Sequence, residues 1–178
     1  MSALPKGWHC VKLRQVADKI QYGYTSTSSL DAEGPRYLRI TDIQDSRVEW
    51  LAVPRVAASQ DVIDLYRLAP GDIVFARSGA TVGKSFLVPD QAEESVFASY
   101  LIRVRCNAKS IYPPFAAKYF HSLAYWKQIV DGSSGTGQPN FNATKLSQID
   151  VPLPPVPEQR RIVTKLDSLT GQHRGSRV

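Results

Sequence analysis

Cysteine, histidine and long apolar runs are scarce in this sequence, and each scarcity excludes something. The two cysteines, Cys10 and Cys106, have no metal-ligand spacing. Nothing points to secretion, so both are expected as reduced thiols rather than a disulfide. The three histidines, His9, His121 and His173, are too scattered for a metal motif. The opening MSALPKGW has no apolar signal core, and no run approaches the length of a membrane span. A cytoplasmic protein with no membrane contact is therefore expected.

Catalytic patterns are missing as well. There is no Glu-x-Lys or Asp-x-Lys pair of the common nuclease type. GSSGTG fails the spacing of a Gly-x-Ser-x-Gly nucleophile elbow. Gln138-Pro139-Asn140-Phe141 lacks the first Asn and second Pro of an amino-methyltransferase motif, and no glycine fingerprint for a methyl-donor cofactor joins a strand to a helix. The reading is a chain that recognises something and leaves chemistry to others, with no catalytic residue, metal or cofactor.

What is present fits that reading. The 178 residues, 43% hydrophobic and 21% charged, suit one soluble domain with a proper core and an appendage. The net charge is +6, and the excess lies mainly after residue 90, where 11 Lys and Arg face 6 acids. Such a balance favours an anionic partner.

GDIVFARSGATVGKSFLV, residues 71–88, reads as strand, glycine-bounded loop, strand. Arg77, Ser78, Thr81 and Lys84 sit in that loop beside Gly79 and Gly83. Backbone N–H groups, hydroxyls and two cations together suit a polyanion. It is not a nucleotide phosphate loop: only three residues separate Gly79 from Gly83-Lys84-Ser85, and an apolar run follows instead of a helix N-terminus. By geometry alone, a plain hairpin whose glycines permit positive φ is as good a reading as a loop that faces DNA.

Along the rest of the chain, WHCVKL alternates as a strand with Trp8 as a core anchor, and Leu13–Ile20 has the spacing of a short helix. Tyr22-Gly-Tyr24-Thr25-Ser-Thr-Ser-Ser is hydroxyl-rich and suits phosphates and base edges, or is a plain surface loop. Residues 37–43 and 48–53 read as strands, and 57–66 as a helix capped by Ser59. Residues 96–105, VFASYLIRVR, read as the strongest strand, with Tyr100, Ile102 and Val104 in the core and Arg103 and Arg105 together as cations on the other face. Residues 113–130 read as one main helix whose stripe is Phe115, Tyr119, Leu123, Trp126 and Val130. In the glycine loop that follows, Gln138 and Asn140 are residue types that read adenine, and their role stays open. Asn142 reads as the cap of a short helix, 143–148. Val151-Pro-Leu-Pro-Pro-Val-Pro reads as a stiff extended connector. The helix after it has Ile162, Leu166 and Leu169 in register with Val163 beside them, a narrow seam made to dock on another helix. The fold class expected is α+β, a β-rich mixed or antiparallel domain with one main packed helix. Its divisions are 1–155, the helix 156–170, and a basic tail 171–178 expected to be disordered.

GDIVFARSGATVGKS, FASYLIRVR and GQPNFNATKLSQIDVPLPPVPEQRRIV, in that order, resemble a target recognition domain of the specificity subunit of type I restriction–modification systems. LPKGWHCVKLRQVA and QYGYTS fit as well, so the resemblance spans residues 4 to about 169. It implies that the domain reads one half of a split DNA target. It also implies that modification subunits methylate and that a restriction subunit translocates and cleaves. Family specificity subunits carry two such domains; this chain has one, and its helix breaks near Gly171. It reads as a half-subunit that pairs with a second copy, a shortened gene product, or a cut fragment. The residues expected at DNA are Tyr22, Tyr24, Thr25, Arg77, Ser78, Thr81, Lys84, Gln138 and Asn140. Those expected at a partner subunit or a second copy are Ile162, Val163, Leu166 and Leu169. A protein-interaction scaffold without DNA reading is the alternative.

Overall fold

The computed structural model describes residues 4–90, 92–133 and 141–171. Strand β1 (His9–Lys12) leads through a 3-10 turn into β2 (Ala17–Tyr22). Strands β3 (Arg36–Leu38), β4 (Ile43–Gln44) and β5 (Arg47–Val48) precede helix α1 (Gln60–Tyr66). Strands β6 (Ile73–Ala76), β7 (Ser85–Leu87), β8 (Ser95–Phe97) and β9 (Leu101–Cys106) follow. Next come helices α2 (Pro113–Tyr119), α3 (Leu123–Ser133) and α4 (Ala143–Ser147), strand β10 (Asp150–Leu153) and helix α5 (Val156–Thr170). The architecture is α+β, as expected from the sequence.

The central sheet has four antiparallel strands in the order β2-β9-β6-β7. Side chains alternate between its faces, so each strand feeds two cores. Ile73, Phe75, Ile102 and Val104 meet Phe115, Phe120, Tyr125 and Ile129 on the helical side. Val74, Phe86 and Leu101 meet Leu38, Leu68 and Phe97 on the other. Smaller pairs complete the fold: β1 with β10, antiparallel; β3 with β8, parallel; β4 with β5, a hairpin.

The hairpin of residues 71–88 forms as read, and Ser59 caps α1, accepting from the N–H of Val62. Several expectations are corrected. Residues 13–20 are not a helix. Leu13 and Val16 are buried at a 3-10 turn, and residues 17–22 pair with β9, a partner far away in the chain, Tyr22 opposite Ile102. Strand 37–43 stops at Leu38 and strand 48–53 at Val48; 3-10 turns at Ile40–Asp42 and Trp50–Ala52 fill the remainder. The long strand 96–105 is two strands in different sheets, divided by a turn closed by the Leu101 N–H on the Ala98 carbonyl at 2.9 Å.

The single helix 113–130 is also two. Ser122 accepts from the N–H of Tyr125 at 3.3 Å and so starts α3 as its cap. The new phase buries Tyr125 and Ile129 and leaves Leu123, an expected stripe residue, 89% exposed. Val130 is likewise mostly exposed. The proline-rich connector is extended but paired: β10 lies on β1 with Pro152 opposite Cys10, in a two-stranded ribbon where a missing N–H is tolerated. Trp8 is only half-buried, and its Nε1 donates to Glu158 of α5 at 3.3 Å, so it ties the helix down rather than anchoring the core.

Arg103 is not a surface cation. It is 1% exposed on the second face of the sheet. Its Nη1 donates to the Arg67 carbonyl at 2.7 Å, its Nη2 to Gln21, and its guanidinium lies 5.1 Å from the Phe97 ring. Arg105 grips Asp72 with two bonds of 2.9 Å. Both cations therefore hold the fold, one of them fixing the end of α1.

Candidate nucleic-acid interface

Strand direction decides which loops meet. The register pairs Tyr22 with Ile102 and Ala76 with Leu101. The end of β2, the start of β9 and the end of β6 therefore lie at one edge of the sheet. The loop after Tyr22, the turn before Leu101 and the 77–84 loop all emerge there. None of the segments 22–30, 77–88 and 96–106 contains an acid. Asp72, by contrast, precedes β6 and pairs with Arg105 near the end of β9, at the opposite edge.

Arg77 joins these loops. Its guanidinium stacks 4.8 Å from the centroid of the Tyr22 ring. Its Nη1 donates to the Ser99 carbonyl at 3.4 Å, and its backbone N–H to the Tyr100 carbonyl at 3.1 Å. Its own carbonyl accepts from the N–H of Phe141 at 2.8 Å, and the Tyr22 hydroxyl accepts from the N–H of Ala143 at the same distance. Gln138 and Asn140 lie outside the described residues. The flanks of that segment do come to this edge, since a side-chain carbon on Gly132 would meet the Phe141 ring at 2.8 Å.

Thr25 is exposed and its hydroxyl donates to Ser99 Oγ at 3.0 Å. Tyr24 is engaged internally. Its ring packs on Tyr66 at 4.8 Å and edge-on to Tyr37 at 5.5 Å. Burial first, then these two neighbours, push its phenol pKa up. The Tyr37 hydroxyl donates to the Tyr24 carbonyl at 2.6 Å and accepts from the Ser26 N–H, which fixes the base of the loop. Gly23 allows this docking, because a Cβ there would lie 2.2 Å from the Ala98 carbonyl oxygen.

In the hairpin loop, Ser78 and Thr81 are half-buried; Ser78 precedes and Thr81 ends a 3-10 turn, Gly79–Thr81. Gly83 has a φ of +84° and no room for a Cβ beneath Ile129 and Trp126 of α3. Its carbonyl accepts from the Tyr125 hydroxyl at 2.7 Å. The hairpin glycine thus serves packing as well as turning. Lys84 is exposed but lies on the far side of the hairpin, in a groove with Asp45, Ser46, His121 and Trp126. The structure therefore brings Tyr22, Thr25, Arg77 and Ser78 together and sets Lys84 apart.

Sequence reasoning missed Tyr100 and Ser99. Tyr100 was expected in the core and is 62% exposed, on the turn between β8 and β9. The signal was the small pair Ala98-Ser99, with its one hydroxyl, inside an apolar run. Arg39 was missed too; it makes a two-pronged pair with Asp42, 3.0 and 2.7 Å, and that hydrogen bonding holds its pKa above the usual range. On α5, Val163 is buried in the domain's own core and Ile162 packs partly against it, while Leu166 and Leu169 are exposed. Among the described residues there is no cluster that would hold a metal ion, and no helix is long and apolar enough to cross a membrane.

Residues 5–174 match the family model of the type I restriction modification DNA specificity domain. The chain belongs to that family. It is 28% identical to the EcoKI type I restriction enzyme specificity subunit of Escherichia coli over 95% of this chain and 37% of that protein. It is 27% identical to the MjaVIII specificity subunit of Methanocaldococcus jannaschii over 93% of this chain and 40% of that one. Among solved structures, a chain from a study of complex assembly and conformational transition in a type I R-M system superposes with a TM-score of 0.74 at 25% identity, covering 96% of this chain and 40% of its own. The HsdS subunit of Thermoanaerobacter tengcongensis superposes with a TM-score of 0.70 at 24% identity, covering 96% of this chain and 44% of its own. This specificity domain thus spans about 40% of the length of the relatives it matches.

Proposed function

We propose that this chain is a non-catalytic, sequence-specific duplex DNA-recognition module of a type I restriction–modification complex. It reads one half of a split target, modification subunits carry out methylation, and the restriction subunit joins through them. The observation that carries the reading is the convergence of three acid-free loops, through Tyr22, Thr25, Arg77 and Ser99, at one edge of the sheet in a member of this family. Arg77 and backbone N–H groups there suit phosphates, and hydroxyls suit base edges. The exposed Leu166 and Leu169 of α5 support contact with a helical partner, either a modification subunit or a second copy of this chain. The complex works in the cytoplasm and needs no cofactor from this chain.

Incubating the chain with fragmented host DNA, then sequencing what it retains at graded salt, tests the reading. A shared sequence element in the retained fragments is the expected result. Retention without any shared element contradicts it and favours a scaffold that only holds modification subunits.

A further inference from the structure

The turn that divides β8 from β9 opens a groove of about 420 Å³ beside Arg77. Its walls include Thr25, Ser28, Thr41, Ser99, Tyr100 and Arg39, and no acidic side chain lines it. Asp42 stands behind Arg39 and takes both prongs of its guanidinium, so Arg39 enters as a neutralised pair and not as a free cation. Ile40 and Ala98 add apolar surface.

The groove therefore offers hydroxyls, an aromatic ring and small apolar surface, with little net charge. Hydroxyls can bond a phosphate oxygen as well, but with no free cation in the lining the groove offers little of the charge neutralisation that dominates phosphate binding. Base edges call for what it has. A hydroxyl donates to or accepts from any base, and apolar groups pack on the thymine methyl. The Thr25–Ser99 bond, at 3.0 Å, uses one hydroxyl hydrogen of the pair and leaves the other to donate outward. The turn is also held in place: Arg77 binds the carbonyls of both Ser99 and Tyr100, so the backbone that carries the Tyr100 ring is already ordered.

We propose that this groove reads base edges, with Tyr100 and the Thr25–Ser99 pair as specificity-determining residues, while phosphates are held outside it. The inference rests on the DNA-recognition reading and adds a division of labour to it.

The test uses the full chain, a pool of duplex oligonucleotides with a randomised segment, and binding at graded salt. The variants are Tyr100→Ala, Ser99→Ala and Lys84→Ala, with thermal melting to confirm folding. Tyr100 is mostly exposed, so its truncation removes nothing from the core and keeps the test open if Ser99→Ala fails to fold. The expected result for Tyr100→Ala and Ser99→Ala is an unchanged salt slope with preference relaxed about tenfold at one or two base positions. Lys84→Ala, on the far side of the hairpin, is expected to leave the base preference intact. A flattened slope with preferences intact in Tyr100→Ala would make the groove a phosphate seat and overturn the proposal. Binding and preference both unchanged would place the groove off the DNA and overturn it as well. A wild-type chain that enriches no sequence overturns the DNA reading itself, a result distinct from either of these.

Discussion

The backbone N–H of Tyr112 donates to the side-chain oxygen of Gln159 at 2.7 Å, joining the residue before α2 to the first turn of α5. The same side chain donates to the carbonyls of Pro154 at 2.8 Å and Ser110 at 3.1 Å, and it is 0% exposed. Both its donors are used and its oxygen is occupied, which is what makes a buried amide tolerable. Val163 in the core, Lys118 bound to Asp167 at 2.7 Å, and Arg160 stacked on Tyr112 at 4.3 Å extend the joint along the helix. Helix α5 is thus set at a fixed angle to the sheet. Replacing Gln159 by Leu keeps volume but leaves the Tyr112 N–H and two carbonyls unpaired. The expected loss of stability is about 2–4 kcal/mol, read as a lower urea midpoint; an unshifted midpoint would show that the joint is not set by this residue.

Tyr22 carries two contacts that one substitution separates. Tyr22→Phe keeps the ring under Arg77 and removes the hydroxyl that accepts from Ala143. The bond is exposed, so the stability change is small, about 0.5–1 kcal/mol. The informative readout is hydrogen exchange at the Ala143 amide, which should quicken while the β2–β9 amides stay protected. Equal exchange at Ala143 in both proteins would mean that the hydroxyl does not hold that flank.

Arg103 should matter to folding and not to DNA. Burial lowers its pKa, opposed by Asp72 and aided by Arg105, yet its carbonyl partners and the Phe97 ring keep it in place. Arg103→Met retains length without donors, and Arg67 and Leu65 then lose their partner at the end of α1. A loss of about 2–4 kcal/mol is expected, with the salt slope of DNA binding unchanged. A flattened slope in a fully folded variant would make Arg103 a phosphate contact and contradict this.

The two thiols should differ sharply. Cys10 is exposed; Cys106 is buried, and burial, then Asp72 and Asp18, push its pKa up to about 12. A thiol reagent at pH 8 should modify one cysteine quickly in the folded protein and both after denaturation. Linkage gives a second signature. The unfolded Cys106 thiol ionises near pH 8.5, while the folded one stays protonated until about 12. The folded state therefore binds more protons in that window, and this thiol's contribution to stability falls as pH rises through it. Two fast thiols in the native protein would contradict the burial.

The hairpin at residues 71–88 was legible because both strands are short apolar runs closed by turn residues, a wholly local pattern. The caps at Ser59 and Asn142 were legible for the same reason, and Asn142 does accept from the N–H of Lys145 at 2.8 Å. What escaped was set by distant partners. Residues 13–20 have a helical spacing, but β9 offers residues 17–22 a ladder. The apolar stripe across 113–130 outweighed a single capping serine, although the serine decides where α3 begins. Of the candidate site, Tyr22, Thr25, Arg77 and Ser78 were readable from residue type. That Lys84 lies in a groove with Asp45, His121 and Trp126 depends on segments far away in the chain, and that Tyr100 turns outward depends on β8 and β9 joining different sheets. The local hint of that change is slight, the small pair Ala98-Ser99 just before Tyr100.

The most direct test is to express the chain with modification subunits from its own host and to map methylated bases across host DNA. The account predicts methylation at one recurring sequence element that is lost when the chain is omitted and altered by Tyr100→Ala. A split palindrome would mean that two copies read the two halves; an asymmetric element would mean that a second recognition domain comes from another chain. Methylation at the same sites with and without this chain would contradict the account.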